Sequence, residues 1–334
     1  MKRFYLLVAF LIISCEDNNT STINQELTFI SSEGNFGSSN ASISVYKGEA
    51  KIQKIEDIGD VLQSILVHGN KLFAILNNSH LIKVYSISEE GLALPGIDIP
   101  TNTSSPREMV VVGNYLYFTN WNSQDVKYLN LTTYKIEGSI KVNGMPEGII
   151  SDQTNLFVAI NMNSDYTSAS TVVKINISSR QVTNEYKVGK GPHALALEGD
   201  NLWVTNRYYD DSYLTYIGTS KIDLTTGSVT IKDYGRGGSA CAGDLFNFKK
   251  ALYRTFDGGV SPLNTDASIL TSGKIGNYND NKLYSSHANS EHIFIGLSDY
   301  VAPDTVLVHD KNGAYVYSLV TGASPGDYAN WRPE

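Results

Sequence analysis

Three observations predict an all-β chain folded as a seven-bladed β-propeller. A turn followed by two short apolar strands recurs at intervals of roughly 40 to 50 residues, the length of one propeller blade. Helical periodicity is absent past residue 27. The last copy of the unit is cut short at the C-terminus, and the strands it lacks stand at the N-terminus.

The recurring phrase is clearest in three copies. Ser105-Pro106-Arg107-Glu108-Met109 leads to Leu116-Tyr117-Phe118-Thr119-Asn120, Met145-Pro146-Glu147-Gly148-Ile149 to Leu156-Phe157-Val158-Ala159-Ile160-Asn161, and Gly191-Pro192-His193-Ala194-Leu195 to Leu202-Trp203-Val204-Thr205-Asn206. Two further strands follow in each unit, separated by Thr-rich turns such as Thr132-Thr133 and Thr225-Thr226-Gly227. The first two strands are apolar nearly throughout, as expected of sheets packed on both faces. Weaker copies begin at Val61, Ala240 and Lys282. The stretch from Gly258 to Asn281 is poorly patterned, so its blade boundaries stay open, and six or eight blades are the alternatives to seven. Gly322 to Ala329 repeats only the opening turn and inner strand, while Leu27 to Ser31, Ala41 to Tyr46 and Ala50 to Ile55 supply the missing strands. Pairing of the two termini would close the ring and remove an exposed sheet edge.

The domain organisation follows. Met1-Lys2-Arg3, the apolar run Phe4 to Ile13 and Ser14-Cys15 read as a signal peptide over residues 1–14, too short to span a bilayer. Leu11-Ile12-Ile13-Ser14-Cys15 resembles a bacterial lipobox, which makes Cys15 the expected lipidation site and residues 15–26 a lipidated tether. Glu16-Asp17-Asn18-Asn19 resembles the signal that exports lipoproteins to the outer face of the outer membrane. The propeller then fills 27–334. Cys241 is the only other cysteine, among small residues, and reads as a packing residue.

Composition excludes some functions. The net charge is -8 over 334 residues, with charged residues at 18% and 21 tyrosines. A phosphate-binding basic face is lacking, so nucleic acid is not an expected partner. No catalytic signature is present, and His68, His80, His193, His287, His292 and His309 show no metal-ligand spacing, so neither a metal nor a cofactor is expected.

The fold instead points to a binding face. Loops entering the inner strands and loops leaving the second strands emerge together around the channel mouth. They bring Gln63, Arg107, Glu147, His193 and Asp327, and then Asn77, Asn120, Trp121, Asn161, Asn206, Arg207, Tyr208 and Tyr209. Aromatic rings beside Asn and Arg suit a large, polar, partly flat ligand. The Asn residues equally suit turn capping, and Trp203, Tyr117 and Trp331 read as packing residues.

The Pro-x-x-apolar turn with its Leu-Tyr/Trp-Val-Thr-Asn strand resembles the YVTN or YncE-like propellers. Ser32-Glu33-Gly34-Asn35-Phe36-Gly37, Gly59-Asp60-Val61-Leu62-Gln63-Ser64-Ile65 and Gly322-Ala323-Ser324-Pro325-Gly326-Asp327-Tyr328 are similar to the Bacteroidota cell-surface branch carrying the DUF5074 domain. Ser31-Ser32 and the Pro-less sixth repeat depart from that pattern. The resemblance implies a non-catalytic, BtuG-like surface lipoprotein that holds a bulky nutrient, a corrinoid such as cobalamin, and passes it to a TonB-dependent transporter. A protein- or glycan-binding platform is the alternative from another class. A metal-dependent lyase or hydrolase, with His193 and Glu147 as its pair, is the third.

Overall fold

Strand-forming runs broken by Gly, Asn, Asp and Thr turns fold here as successive antiparallel meanders. A computed structural model of the chain describes residues 26–238 and 243–333. The expected leader, lipidated Cys15 and Cys241 lie outside the described residues. Glu26, assigned to the tether, is held by the propeller: Arg332 Nε and Asn289 Nδ2 donate to its carboxylate at 3.2 and 2.8 Å.

Seven sheets make seven blades. In blade one the inner strand is the C-terminal Pro325–Trp331, which pairs antiparallel with Leu27–Ser32, followed outward by Ser42–Lys47 and Ala50–Ile55. The register joins Leu27 to Trp331 and Ile30 to Tyr328, so the termini close the ring as the repeat pattern predicts. Blades two to five begin with inner strands Leu62–His68, Pro106–Val112, Met145–Ser151 and Pro192–Glu198. Blade six, starting at Leu245–Phe248, has three strands, and blade seven starts at Leu283–Ala288. The unpatterned stretch 258–281 holds the third strand of blade six, Gly259–Pro262, and the 3-10 turns Thr271–Gly273 and Asp280–Lys282. Among the described residues there is no α-helix.

The core is divided among the seams. Each of seven buried apolar clusters sits between two neighbouring blades. Tyr117 and Trp203 are buried within such clusters, and Trp331 packs against the one that includes Leu27 and Phe29. The seam between blades five and six is leanest, with only Ala196, Trp203, Leu252 and Ala267 fully buried in its cluster. There the buried Arg254 compensates: its guanidinium donates to Gly218 O, to Thr219 Oγ1 at 2.8 Å and to Thr255 O at 3.0 Å, and lies 5.1 Å from the Tyr234 ring centre.

The Thr of the repeated phrase fastens one blade to the next. Thr119 Oγ1 accepts from Glu108 N at 3.0 Å within blade three and donates to Glu147 O of blade four at 2.7 Å. Thr205 repeats this, accepting from Ala194 N and donating to Gly243 O at 2.7 Å. Asn77 and Asn161 add a second fastening, from Nδ2 to Pro106 O at 2.9 Å and Pro192 O at 3.1 Å of the following blade.

Replacing Thr119 by Val keeps the side-chain shape but leaves a buried carbonyl and amide unpaired. Urea denaturation should show a loss of about 2 kcal/mol. A change below about 0.5 kcal/mol, inside the range of neutral surface substitutions, would show that the hydroxyl fastens nothing.

Candidate functional site

A cavity of about 660 Å³ opens on the face where second strands end and inner strands begin, and all seven blades contribute to it. Backbone register decides which residues reach it. The amides of Glu33, Asn77, Trp121 and Ser298, each just past a second strand, and of Arg207, still within the longer second strand Asn201–Tyr209, donate to the carbonyl preceding their own blade's inner strand, at 2.8 to 3.0 Å. These five positions are therefore equivalent, and all but Ser298 line the cavity. On the inner strands, Gln63, Arg107, Glu147 and His193 form a second tier beside them. One residue further along, Glu108, Asp244 and Asp327 form a third. Gly148 stands at that level in blade four because a side chain there would meet His193 O at 2.1 Å.

Of the expected site residues, Gln63, Asn77, Arg107, Trp121, Glu147, His193, Arg207 and Asp327 come together around this cavity. Asn120, Asn161 and Asn206 do not. Asn120 is fully buried, accepting from Ser104 Oγ and donating to Phe118 O; Asn161 fastens Pro192; Asn206 joins Gly189 O and Ser220 Oγ. Tyr208 lies against Tyr216, with ring centres 5.4 Å apart, beside a separate pocket of about 180 Å³ that also includes Lys190 and Asp233. Tyr209 is exposed and lines neither. Sequence reasoning missed Glu33, Phe36, Glu108, Asp244, Tyr284, His287 and Tyr300. Glu108 and Asp244 share the register of Asp327, and that signal could have found them.

One ion pair organises the wall formed by blades three to five. Arg107 grips Glu147 through Nε at 3.1 Å to both carboxylate oxygens and through Nη2 at 2.7 Å. Its guanidinium carbon sits 4.2 Å from the Trp121 ring centre, so the cation is bonded at its edge and stacked on its face. Burial pushes the Glu147 carboxyl up, but the charge and hydrogen bonds of Arg107 together with the nearby His193 and Arg207 more than offset it and hold the group below the usual carboxylate range. His193 Nε2 lies 3.9 Å from Glu147 Oε1. Burial, reinforced by the Arg207 charge, pushes the His193 ring down to about 3, leaving it neutral at physiological pH.

The other carboxyls of the cavity behave differently. Burial pushes Glu33 up to about 7 against the pull of Arg107, and Asp244 up to about 7 against the Ser286 amide. Asp327 rises to about 6 through burial, although Ile65 N and Tyr328 N donate to it at 2.8 and 2.7 Å. Glu108 is raised by burial and then by the nearby Asp327 and Glu147 charges. Near neutral pH the cavity thus offers one fixed ion pair, a cationic Arg207 and carboxyls that readily hold protons. Among the described residues, no group of three or more His, Cys, Asp or Glu side chains is arranged to hold a metal ion.

No protein-family profile matches the chain, and no curated protein matches it. Among solved structures it is similar to a Bacteroides fragilis protein provisionally named as a 6-phosphogluconolactonase, with TM-score 0.64 at 13% identity, covering 93% of this chain and 99% of that one. A Bacteroides uniformis protein provisionally named for the same activity matches with TM-score 0.63 at 12% identity, over 92% and 100%. Hydrazine synthase of Kuenenia stuttgartiensis matches with TM-score 0.63 at 16% identity, over 80% and 88%. At these identities the likeness is one of fold: the chain is a seven-bladed β-propeller.

The raised carboxyls carry a stability signature. Between the unfolded Glu value of about 4.3 and the folded value of about 7, the native chain binds more protons at Glu33 than the unfolded chain, so stability falls as pH rises through that window. Glu33→Gln removes this share. Its urea midpoint should gain on the wild type at pH 8 relative to pH 5, whereas an equal difference at both pH values would mean that Glu33 titrates normally.

Proposed function

We propose that this chain is a non-catalytic capture protein, held at the outer face of the outer membrane through lipid on Cys15. Its cavity binds a bulky polar nutrient, with a corrinoid such as cobalamin as the leading candidate, and a TonB-dependent transporter receives the cargo. The cavity carries this reading. Its volume of about 660 Å³ lies in the range of ligand pockets, and its walls mix rings, donors and acceptors from every blade. A flat macrocycle fringed with amides would place part of itself inside and rest the remainder against Phe36, 78% exposed, and Tyr300 at the mouth. Glu147, the carboxylate of the only acid and imidazole pair expected from the sequence, is committed to Arg107 and so is poorly placed to act as a base.

Calorimetry and visible absorption with cyanocobalamin and cobinamide test the corrinoid. Saturable heat and a band shift at micromolar protein are expected, with affinity about tenfold weaker in Trp121→Ala as stacking is lost. Silence from both compounds removes the corrinoid from the reading.

A specific observation favours a second reading, the protein- or glycan-binding platform. Four five-residue turns share one pair of closing hydrogen bonds: 163–167, 210–214, 264–268 and 310–314. The fourth residue of each is left-handed, at φ +65, +59, +65 and +82. Away from the cavity that position holds Ala267 and Gly313, but on the cavity face it holds Tyr166 and Tyr213, 72% and 86% exposed. Bulky residues resist this conformation, so exposed rings placed there favour contact with a partner. Tyr213→Gly should raise stability by about 1 kcal/mol while weakening capture of a partner from outer-membrane extracts. Undiminished capture by this variant and by Tyr166→Gly would count against the platform.

A further inference from the structure

The wall of blades three to five carries polar atoms that the fold leaves unpaired. Trp121 Nε1, Arg207 Nη1 and His193 Nδ1 are buried without a hydrogen-bond partner among the described residues, and all three residues line the cavity. The other five atoms in that condition, on Ser44, Thr101, Trp203, Thr255 and Ser261, belong to residues that do not line it. The clustering therefore belongs to the site and not to the propeller as a whole.

Each atom has a definite role. The indole and guanidinium nitrogens can only donate. His193 is neutral, and its Nε2 faces the ionised Glu147 at 3.9 Å, which favours the tautomer with the proton on Nε2. Nδ1 is then an acceptor. Gly243 leaves space beside it, since a Cβ at that position would stand 3.3 Å from Nδ1. The wall thus presents two donors and one acceptor, with Arg107 and Glu147 already satisfied by each other.

We infer that this wall is a subsite for a primary carboxamide of the ligand, whose oxygen accepts from Trp121 Nε1 and Arg207 Nη1 while its N–H donates to His193 Nδ1. The inference deepens the binding reading of the cavity and rests on it. A primary amide supplies both an oxygen with two lone pairs and an N–H donor. A carboxylate supplies no donor and would set its charge against the His193 lone pair and against the ionised Glu147. A tertiary amide keeps the oxygen but loses the N–H.

The full-length protein labelled with 15N gives a direct readout, because the chain has three tryptophans and Trp121→Phe identifies the Trp121 indole signal while keeping a ring over Arg107. Titration with acetamide should move that signal while Trp203 and Trp331 stay still, with N,N-dimethylacetamide and acetate each binding about tenfold more weakly. Trp121→Phe and Arg207→Met should each weaken acetamide about tenfold, followed through the His193 ring signals, with the remaining indole signals reporting an intact fold. Equal or tighter binding of acetate or the dimethyl amide overturns the subsite, as does an unmoved Trp121 signal. Comparing cyanocobalamin with derivatives hydrolysed at single peripheral amides separates the two ideas. Corrinoid binding indifferent to every such hydrolysis and to both variants overturns the subsite and spares the corrinoid, whereas an acetamide response without corrinoid binding does the reverse.

Discussion

The pairing of Pro325–Trp331 with Leu27–Ser32 is the constraint on which everything else in the molecule depends. It joins segments nearly a chain length apart and makes a line of sheets into a ring, so that Leu27–Ser32 is not left as an unpaired edge. It also assembles the site. Asp327 arrives on the closing strand and Glu33 just beyond its partner, so two of the cavity's carboxyls exist in place only when the ends meet. The Thr and Asn fastenings then transmit that closure from blade to blade, bonding to the carbonyls that set the height of the inner strands.

Much of this was legible in the repeat. Blade number, terminal closure and the face that carries the cavity follow from short apolar strands alternating with turn residues. The site was only half legible, and the reason is register. Strand-ending Asn77, Asn120, Asn161 and Asn206 look alike in sequence, yet Asn77 aligns in the backbone with Trp121 and Arg207, one residue beyond Asn120 and Asn206. A bulge beside the inner strands of blades two, three and five shifts the pairing, and an offset of one residue moves a side chain from the cavity into the sheet packing. Asp327 was grouped with Arg107 for the same reason, although its level is that of Glu108. Glu33 was out of reach because its blade is split between the two ends of the chain.

The charge distribution separates scaffold from site. Arg107 is held by Glu147 on one side and Trp121 on the other, so it acts as a rigid shelf. Among the described residues Arg207 has no such clamp, and it sits among carboxyls whose burial favours protons. The cavity thereby keeps a strong directional cation beside one fixed ion pair.

Among the described residues the seam between blades five and six has the fewest buried apolar side chains in the ring and relies on Arg254, whose pKa burial lowers. Grease tolerates small slips between surfaces, whereas a guanidinium gripping Gly218 O, Thr219 and Thr255 loses its bonds over a fraction of an ångström. Strain imposed by a tightly held guest would therefore be released abruptly at this joint and not spread evenly around the wheel. Asp244, just across the joint, would feel that release first.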